Sequence, residues 1–206
     1  MVLRGRGKGR SPFSIVSQSS KIYKSVELSA PKFKMEPQNY DYFLVLDFEA
    51  TCKEGSKISK QEIIEFPVLK VDGTTFDVTD KFHEYVKPIH NPQLTDFCTK
   101  LTGITQDMVD ESDTFPSVFG RFQQWLEDSV GPKSSYLFVT CGDWDLKVML
   151  PEQCNRDNIV LPAYFRSWMN IKKAYAHVTG TFVKGMMPML EQLNIKHVGK
   201  HHSGIG

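Results

Sequence analysis

Two acids, Asp47 and Glu49, stand at the end of the apolar run in "YFLVLDFEATC". Side chains two positions apart on a strand point to the same face, so these carboxylates share one patch. Held a few ångströms apart they repel and raise one another's pKa unless a cation stands between them. Hard divalent cations with a preference for oxygen, Mg²⁺ or Mn²⁺, suit such a pair. Alone, Asp-x-Glu describes two solvated acids or partners of lysine equally well. A second pair, Asp143 and Asp145, follows "YLFVTC" in the same way, at the end of another apolar run. Ligands of α/β folds gather beyond the carboxyl ends of buried strands, so two acidic strand ends can converge on one metal site. Asp143 also reads as a helix N-cap, and Asp145 as an acid that compensates a helix dipole. Near the chain end, "GKHHSGIG" supplies His201 and His202. An imidazole beside a metal-bound phosphate can take a proton from an attacking water. An exposed polar turn is the competing reading, and the preferred one for His201.

These residues need elements to position them. The alternation of Phe43 to Phe48 onto both faces predicts a central strand over about residues 42–49. "IIEFPVLKV" up to Asp72-Gly73, followed by "TTFDVTDKFHEYVKP", predicts a β-hairpin, bulged or irregular at Pro67. "NPQLTDFCTKLTGITQDMVDES" has the capped, polar look of short helices and turns. Val118, Phe119, Phe122, Leu126 and Val130 recur at helical spacing until Gly131-Pro132 stops the run. Next come a strand in "SYLFVTC", a helix starting in "GDWDLKVML", a strand-like "YFRSWMNI", a helical "KKAYAHV" and a helix in "GMMPMLEQL" after Gly185. Strands in succession followed by alternating helices and strands indicate an α/β domain with a mixed sheet.

With 206 residues, 40% of them hydrophobic, the chain can bury one sizeable core, and its 24% charged residues are ordinary for a soluble domain. No apolar run approaches the ~20 residues of a membrane helix, so a soluble, intracellular protein of cytoplasm or nucleus, with no membrane partner, is expected. Cys52, Cys98, Cys141 and Cys154 form no C-x-x-C pair; reduced thiols are expected, with Cys141 and Cys154 as candidate neighbours. The net charge of +1 hides an asymmetry, because residues 1–36 hold eight Lys or Arg against Glu27 and Glu36. Residues 1–38 read as a basic arm without an apolar face. Contact with nucleic acid, an organellar presequence and a solvated tail all fit it.

"DFEATC", "CGDWDLKVMLPEQC", "MNIKKAY" and "GKHHSGI", in this order, resemble the DEDDh 3′→5′ exonucleases, and among them the Eri-1-like exoribonucleases. The likeness is greatest to the branch holding the prion-protein-interacting member, and it runs from about Tyr40 to Gly206. It implies an RNase H-like fold, a mixed central sheet of about five strands flanked by helices, in a domain of residues 39–206. It also implies hydrolysis of the 3′-terminal phosphodiester of RNA with two Mg²⁺ or Mn²⁺ ions. Asp47, Glu49 and Asp145 would be the metal ligands, Glu49 holding the ion that activates water, and His202 the general base. Phe48, Ala50, Leu101, Thr102 and Trp144 would seat the terminal nucleotide, with core packing as the competing role for Leu101 and Trp144. The implied partner is RNA with a free 3′ end and, by resemblance only, the prion protein; no oligomeric state is implied. One departure stands out: Gly206 occupies the position of a further family carboxylate. From this a weakened metal site, an absent final helix and reduced activity are expected, with a non-catalytic RNA- or protein-binding module as the competing reading.

Overall fold

The apolar run Tyr42–Leu46 forms β1, the strand around which the sheet is built. Residues 38–199 are described by a computed structural model. All of the basic arm but Gln38, and His201, His202 and Gly206, lie outside the described residues. Along one edge of β1 runs β3 (Ile63–Asp72), antiparallel, from Tyr42↔Asp72 to Leu46↔Val68. Along the other edge β5 (Tyr136–Thr140) runs parallel, with Val45 beside Val139. β4 (Val78–Tyr85) returns along the far edge of β3 as the expected hairpin, and β6 (Trp168–Asn170) extends the sheet parallel to β5. A two-residue β2 (Glu49–Ala50) resumes pairing with β3 where β1 leaves it. The sheet is mixed and six-stranded. The strand beyond the expected number is β2, which the sequence reads as one piece with β1.

Pro67 bears on that division. Its own pairing to β4, opposite His83, is regular, and the β3–β4 irregularity falls instead between Lys70 and Val71. On the other edge, however, β1 stops at Val68 and β2 starts at Glu65, so Pro67 lies opposite the interruption. Proline has no N–H to give a ladder.

The helices are α1 (Asp96–Thr102), α2 (Gln106–Asp110), α3 (Phe115–Trp125), α4 (Leu150–Arg156), α5 (Ile171–Thr179) and α6 (Met186–Gln192). The expected long amphipathic helix is α3 continued by a π-helical turn, Leu126–Val130, and it ends at Gly131, whose φ of 77° suits glycine. All five of its predicted apolar positions are buried. They meet one face of the sheet around Phe66, whose ring centre lies 4.8 Å from those of both Phe48 and Phe122. A smaller cluster of Ile64, Cys98, Ile104 and Val109 holds α1 and α2. Only part of "YFRSWMNI" is strand: Ala163–Arg166 makes a 3₁₀ turn after Pro162, with Phe165 stacked 4.7 Å from Phe138, and pairing begins at Trp168. All four cysteines are free thiols; Cys52 packs against the cluster that holds Cys98, whose thiol donates to the Ala50 carbonyl at 3.7 Å. No helix among the described residues is long and apolar enough to cross a membrane.

Candidate active site

Phe48 drives its ring into the aromatic core, so its neighbours Asp47 and Glu49 must project from the opposite face of the strand. Between them the ladder is broken, and the Phe48 N–H donates to Asp145 Oδ1 at 3.0 Å. This bond ties the first acidic strand end to the second. Asp145 can make it because β5 lies parallel to β1, which brings their carboxyl ends side by side. It opens a π-helical turn, Asp145–Met149, that leads into α4.

Asp47, Phe48, Glu49, Ala50, Leu101, Trp144 and Asp145 line one cleft of about 290 Å³, together with Cys52, Gln61 and Cys141. Phe48 and Ala50 have their side chains in the core, so they present backbone to it. Leu101 is carried by α1, which starts at Thr95, whose Oγ1 accepts from the Cys98 N–H, and stops at Gly103, with φ of 85°. It is half-buried, and Trp144 is 40% exposed, so each keeps surface free for a ligand. Thr102 stands apart from the cleft lining. Its hydroxyl donates to the Cys98 carbonyl (2.9 Å) and accepts from the Ile104 N–H (3.1 Å), securing the end of the helix that presents Leu101. His202 falls outside the described residues.

Asp143 caps no helix with its side chain. It accepts from Trp168 Nε1 (3.1 Å) and Asn170 Nδ2 (3.0 Å) and pairs with Lys173 Nζ (2.5 Å), fastening the turn after β5 to β6 and α5. Lys173, with these hydrogen bonds, lowers its carboxyl to about 2.

The cleft carboxylates are shifted the other way. Although Asp47 is exposed at the mouth, surrounding protein displaces much of its hydration, and Asp145 and then Glu65 add repulsion; its carboxyl rises to about 6. Burial likewise pushes Asp145 up, against the opposing pull of the Phe48 N–H and the Lys172 ammonium. Glu65 faces Glu49 across the β2–β3 pair, is buried, and lies 2.7 Å from His83 Nε2. Like charges placed so are unfavourable without a counterion.

Among the described residues no three His, Cys, Asp or Glu side chains lie close enough together to hold a metal as placed. The donor chemistry nonetheless fits a hard cation. Three carboxylates in one cleft are hard oxygen donors of the kind a dication takes, and the softer thiols do not compete. Burial and the contact with Cys98 push Cys52 up to about 12, and burial raises Cys141, so both stay protonated at neutral pH.

The acids at 47, 49 and 145 are legible from strand-end spacing. Glu65 carries a fainter signal, one acid inside "IIEFPVLKV", while Gln61, Cys52 and Lys172 carry none.

A protein-family model described as Exonuclease matches residues 44–206. ERI1 exoribonuclease 3 of Bos taurus is 49% identical over 179 residues, which are 85% of this chain and 53% of the relative. The chain thus spans about half the length of that relative. Among solved structures, the nuclease domain of 3′hExo, a DEDDh family member bound to rAMP, has a TM-score of 0.79 at 39% identity, covering 82% of this chain and 87% of that one. A structure of a 3′-exonuclease in 3′-end specific recognition of histone mRNA stem-loop has a TM-score of 0.77 at 39% identity, covering 81% and 76%.

Proposed function

The chain belongs to the exonuclease family, and from that premise we propose that it is a metal-dependent 3′→5′ exoribonuclease whose substrate is RNA with a free 3′ end. The observation that carries this reading is the meeting of Asp47, Glu49 and Asp145 in one cleft whose lining also includes Leu101 and Trp144. The relative named an exoribonuclease and the neighbours bound to rAMP and to an RNA stem-loop support RNA over other polymers.

In this reading Asp47, Glu49 and Asp145 hold Mg²⁺ or Mn²⁺. Such ions, two of them in the family arrangement, supply Lewis acidity and make water nucleophilic at neutral pH for in-line attack on phosphorus. The remaining work falls to the chain itself. Asp47, which feels Asp145 and Glu65 together, takes the central place among the acids. Trp144 offers an exposed indole face, and stacking of a base on such a face contributes about 1–3 kcal/mol. Leu101 packs against the other side of the terminal nucleoside, and the backbone at Phe48 and Ala50 gives its ribose polar partners. The protonated Cys52 thiol keeps that wall neutral. His202 is assigned the proton of the attacking water, and the products are a 5′-mononucleotide and an RNA one residue shorter.

The test is a 5′-labelled single-stranded RNA incubated with the full chain. A ladder descending one nucleotide at a time with Mg²⁺, absent with EDTA and absent for Asp47→Ala, is the expected result. RNA that is bound but never shortened would favour a non-catalytic binding module.

A further inference from the structure

Among the described residues that line the cleft none is basic, and three are acids. A polyanionic substrate entering it meets repulsion on every side that a metal does not neutralise. Among the described residues a remedy lies at Gly142, in the turn between Cys141 and Asp145. Gly142 has φ of 141°, a backbone conformation that L side chains rarely adopt, and a Cβ built there would stand 3.3 Å from Nζ of Lys172 and 3.6 Å from its Cε. The space a side chain would crowd is therefore occupied by the lysine's end, which lies over the turn that carries Asp145.

How Lys172 comes to be there is also visible. Its N–H donates to Asn170 Oδ1 at 3.0 Å, at the start of α5, and Asn170 Nδ2 in turn holds Asp143. The two lysines of "MNIKKAY" then part company. Lys173 is consumed by its ion pair with Asp143, whereas the Lys172 ammonium makes no ion pair among the described residues. Among the described residues no carboxylate oxygen lies within ion-pair distance of that ammonium. A half-buried cation has been brought beside an acidic cleft and, among the described residues, is given no anion to pair with.

We propose that Lys172 is a phosphate-binding residue of the cleft, its ammonium holding a non-bridging oxygen of the 3′-terminal phosphodiester and then the phosphate of the released mononucleotide. The inference rests on the exoribonuclease reading for the identity of the anion. A lysine suits this place because it acts as a compact point charge on a flexible stem, able to follow the phosphate from substrate to product.

Binding rather than turnover tests it. Adenosine 5′-monophosphate in Mg²⁺, which offers no internucleotide bond to hydrolyse, and a single-stranded oligoribonucleotide in EDTA are titrated against the full chain. The variants are Lys172→Met, Lys172→Arg and, as a control beyond the opposite end of β5, Lys133→Met. Removing one charge-assisted bond should weaken binding of both probes about tenfold or more. It should also make the salt dependence of oligonucleotide binding shallower by about 0.7 in log–log slope. Lys172→Arg should recover much of the loss, and Lys133→Met should match the unmutated chain. Melting temperatures measured without ligand, and their shift with Mg²⁺, should be alike for all. Lys172→Met that binds both probes with unchanged affinity and slope overturns the proposal. So does a variant whose only change is tighter Mg²⁺ binding, since the ammonium would then serve the carboxylates. An unmutated chain that binds RNA without shortening it in Mg²⁺ overturns the catalytic reading instead, and the variant comparison still decides the role of Lys172. Failure to bind either probe overturns both.

Discussion

Asp47 is held in a form its surroundings disfavour. With its carboxyl raised from 3.8 to about 6, ionisation costs more in the fold than in the unfolded chain, so at neutral pH the metal-free chain carries a charge that opposes folding. The sign follows directly. This group favours the folded state most at pH below 3.8, where it is protonated in both states or gains a proton on folding, and that advantage fades as pH rises through about 6. Asp47→Asn should therefore raise the melting temperature of the metal-free protein at pH 7 while removing Mg²⁺-dependent cleavage. A lower melting temperature for the variant in EDTA would show that the carboxylate is stabilising as it stands. Protons and metal compete for the same oxygens, so the rise in melting temperature on adding Mg²⁺ should shrink as pH falls below about 6.

At the scale of elements, the cleft depends on two fastenings that involve no reacting atom. One is the Phe48–Asp145 bond, made where Pro67 faces a gap in the sheet ladder. The other is Asp143, which joins the turn after β5 to Trp168, Asn170 and Lys173. Asp143→Ala should lower RNA cleavage by loosening the turn that carries Asp145, at a modest cost in stability of about 1 kcal/mol, since its ion pair is largely solvated. Because its folded-state pKa is depressed to about 2, its stabilisation is present above 3.8 and is lost as pH falls through about 2. Urea denaturation of both proteins at pH 7 and near pH 2 should show the difference narrowing in acid; a constant gap would mean that Asp143 acts by packing. Helix α1 contributes differently, with Thr102 and Gly103 closing the end that holds Leu101 at the cleft.

Across the whole molecule, the aromatic layer on one face of the sheet supports the acidic cleft on the other. Phe66 touches Phe48, Phe82, Phe115, Phe119 and Phe122, and Phe48 sits between Asp47 and Glu49. Phe66→Ala should cost about 3–5 kcal/mol, against a typical total of ~5–15, and chemical denaturation should report it as a large fall in midpoint. A loss below 1 kcal/mol would mean that the neighbouring rings close over the gap. Residues 1–36 carry eight Lys or Arg and two Glu, and we infer that they add phosphate contacts without reading bases. Deleting residues 2–36 should flatten the salt dependence of RNA binding while leaving the rate of cleavage at saturating RNA unchanged. An unaltered slope would assign those residues another role.

Much of this protein was legible in its residues because the signals are local. Alternation around Phe48 puts Asp47 and Glu49 on one face whatever the strand pairs with, and helical spacing from Val118 to Val130 with Gly131 after it specifies a helix and its end. The second acidic strand end, at Asp145, was readable for the same reason. The sequence alone could not say that Phe48, where the first strand breaks in two, bonds to a residue 97 positions away. Nor could it bring Glu65 opposite Glu49, set Cys52 against Cys98, or separate the roles of Lys172 and Lys173, which look alike in "NIKK". Those outcomes depend on which strands lie side by side and on where each buried polar group finds a partner, and only the closed fold decides them.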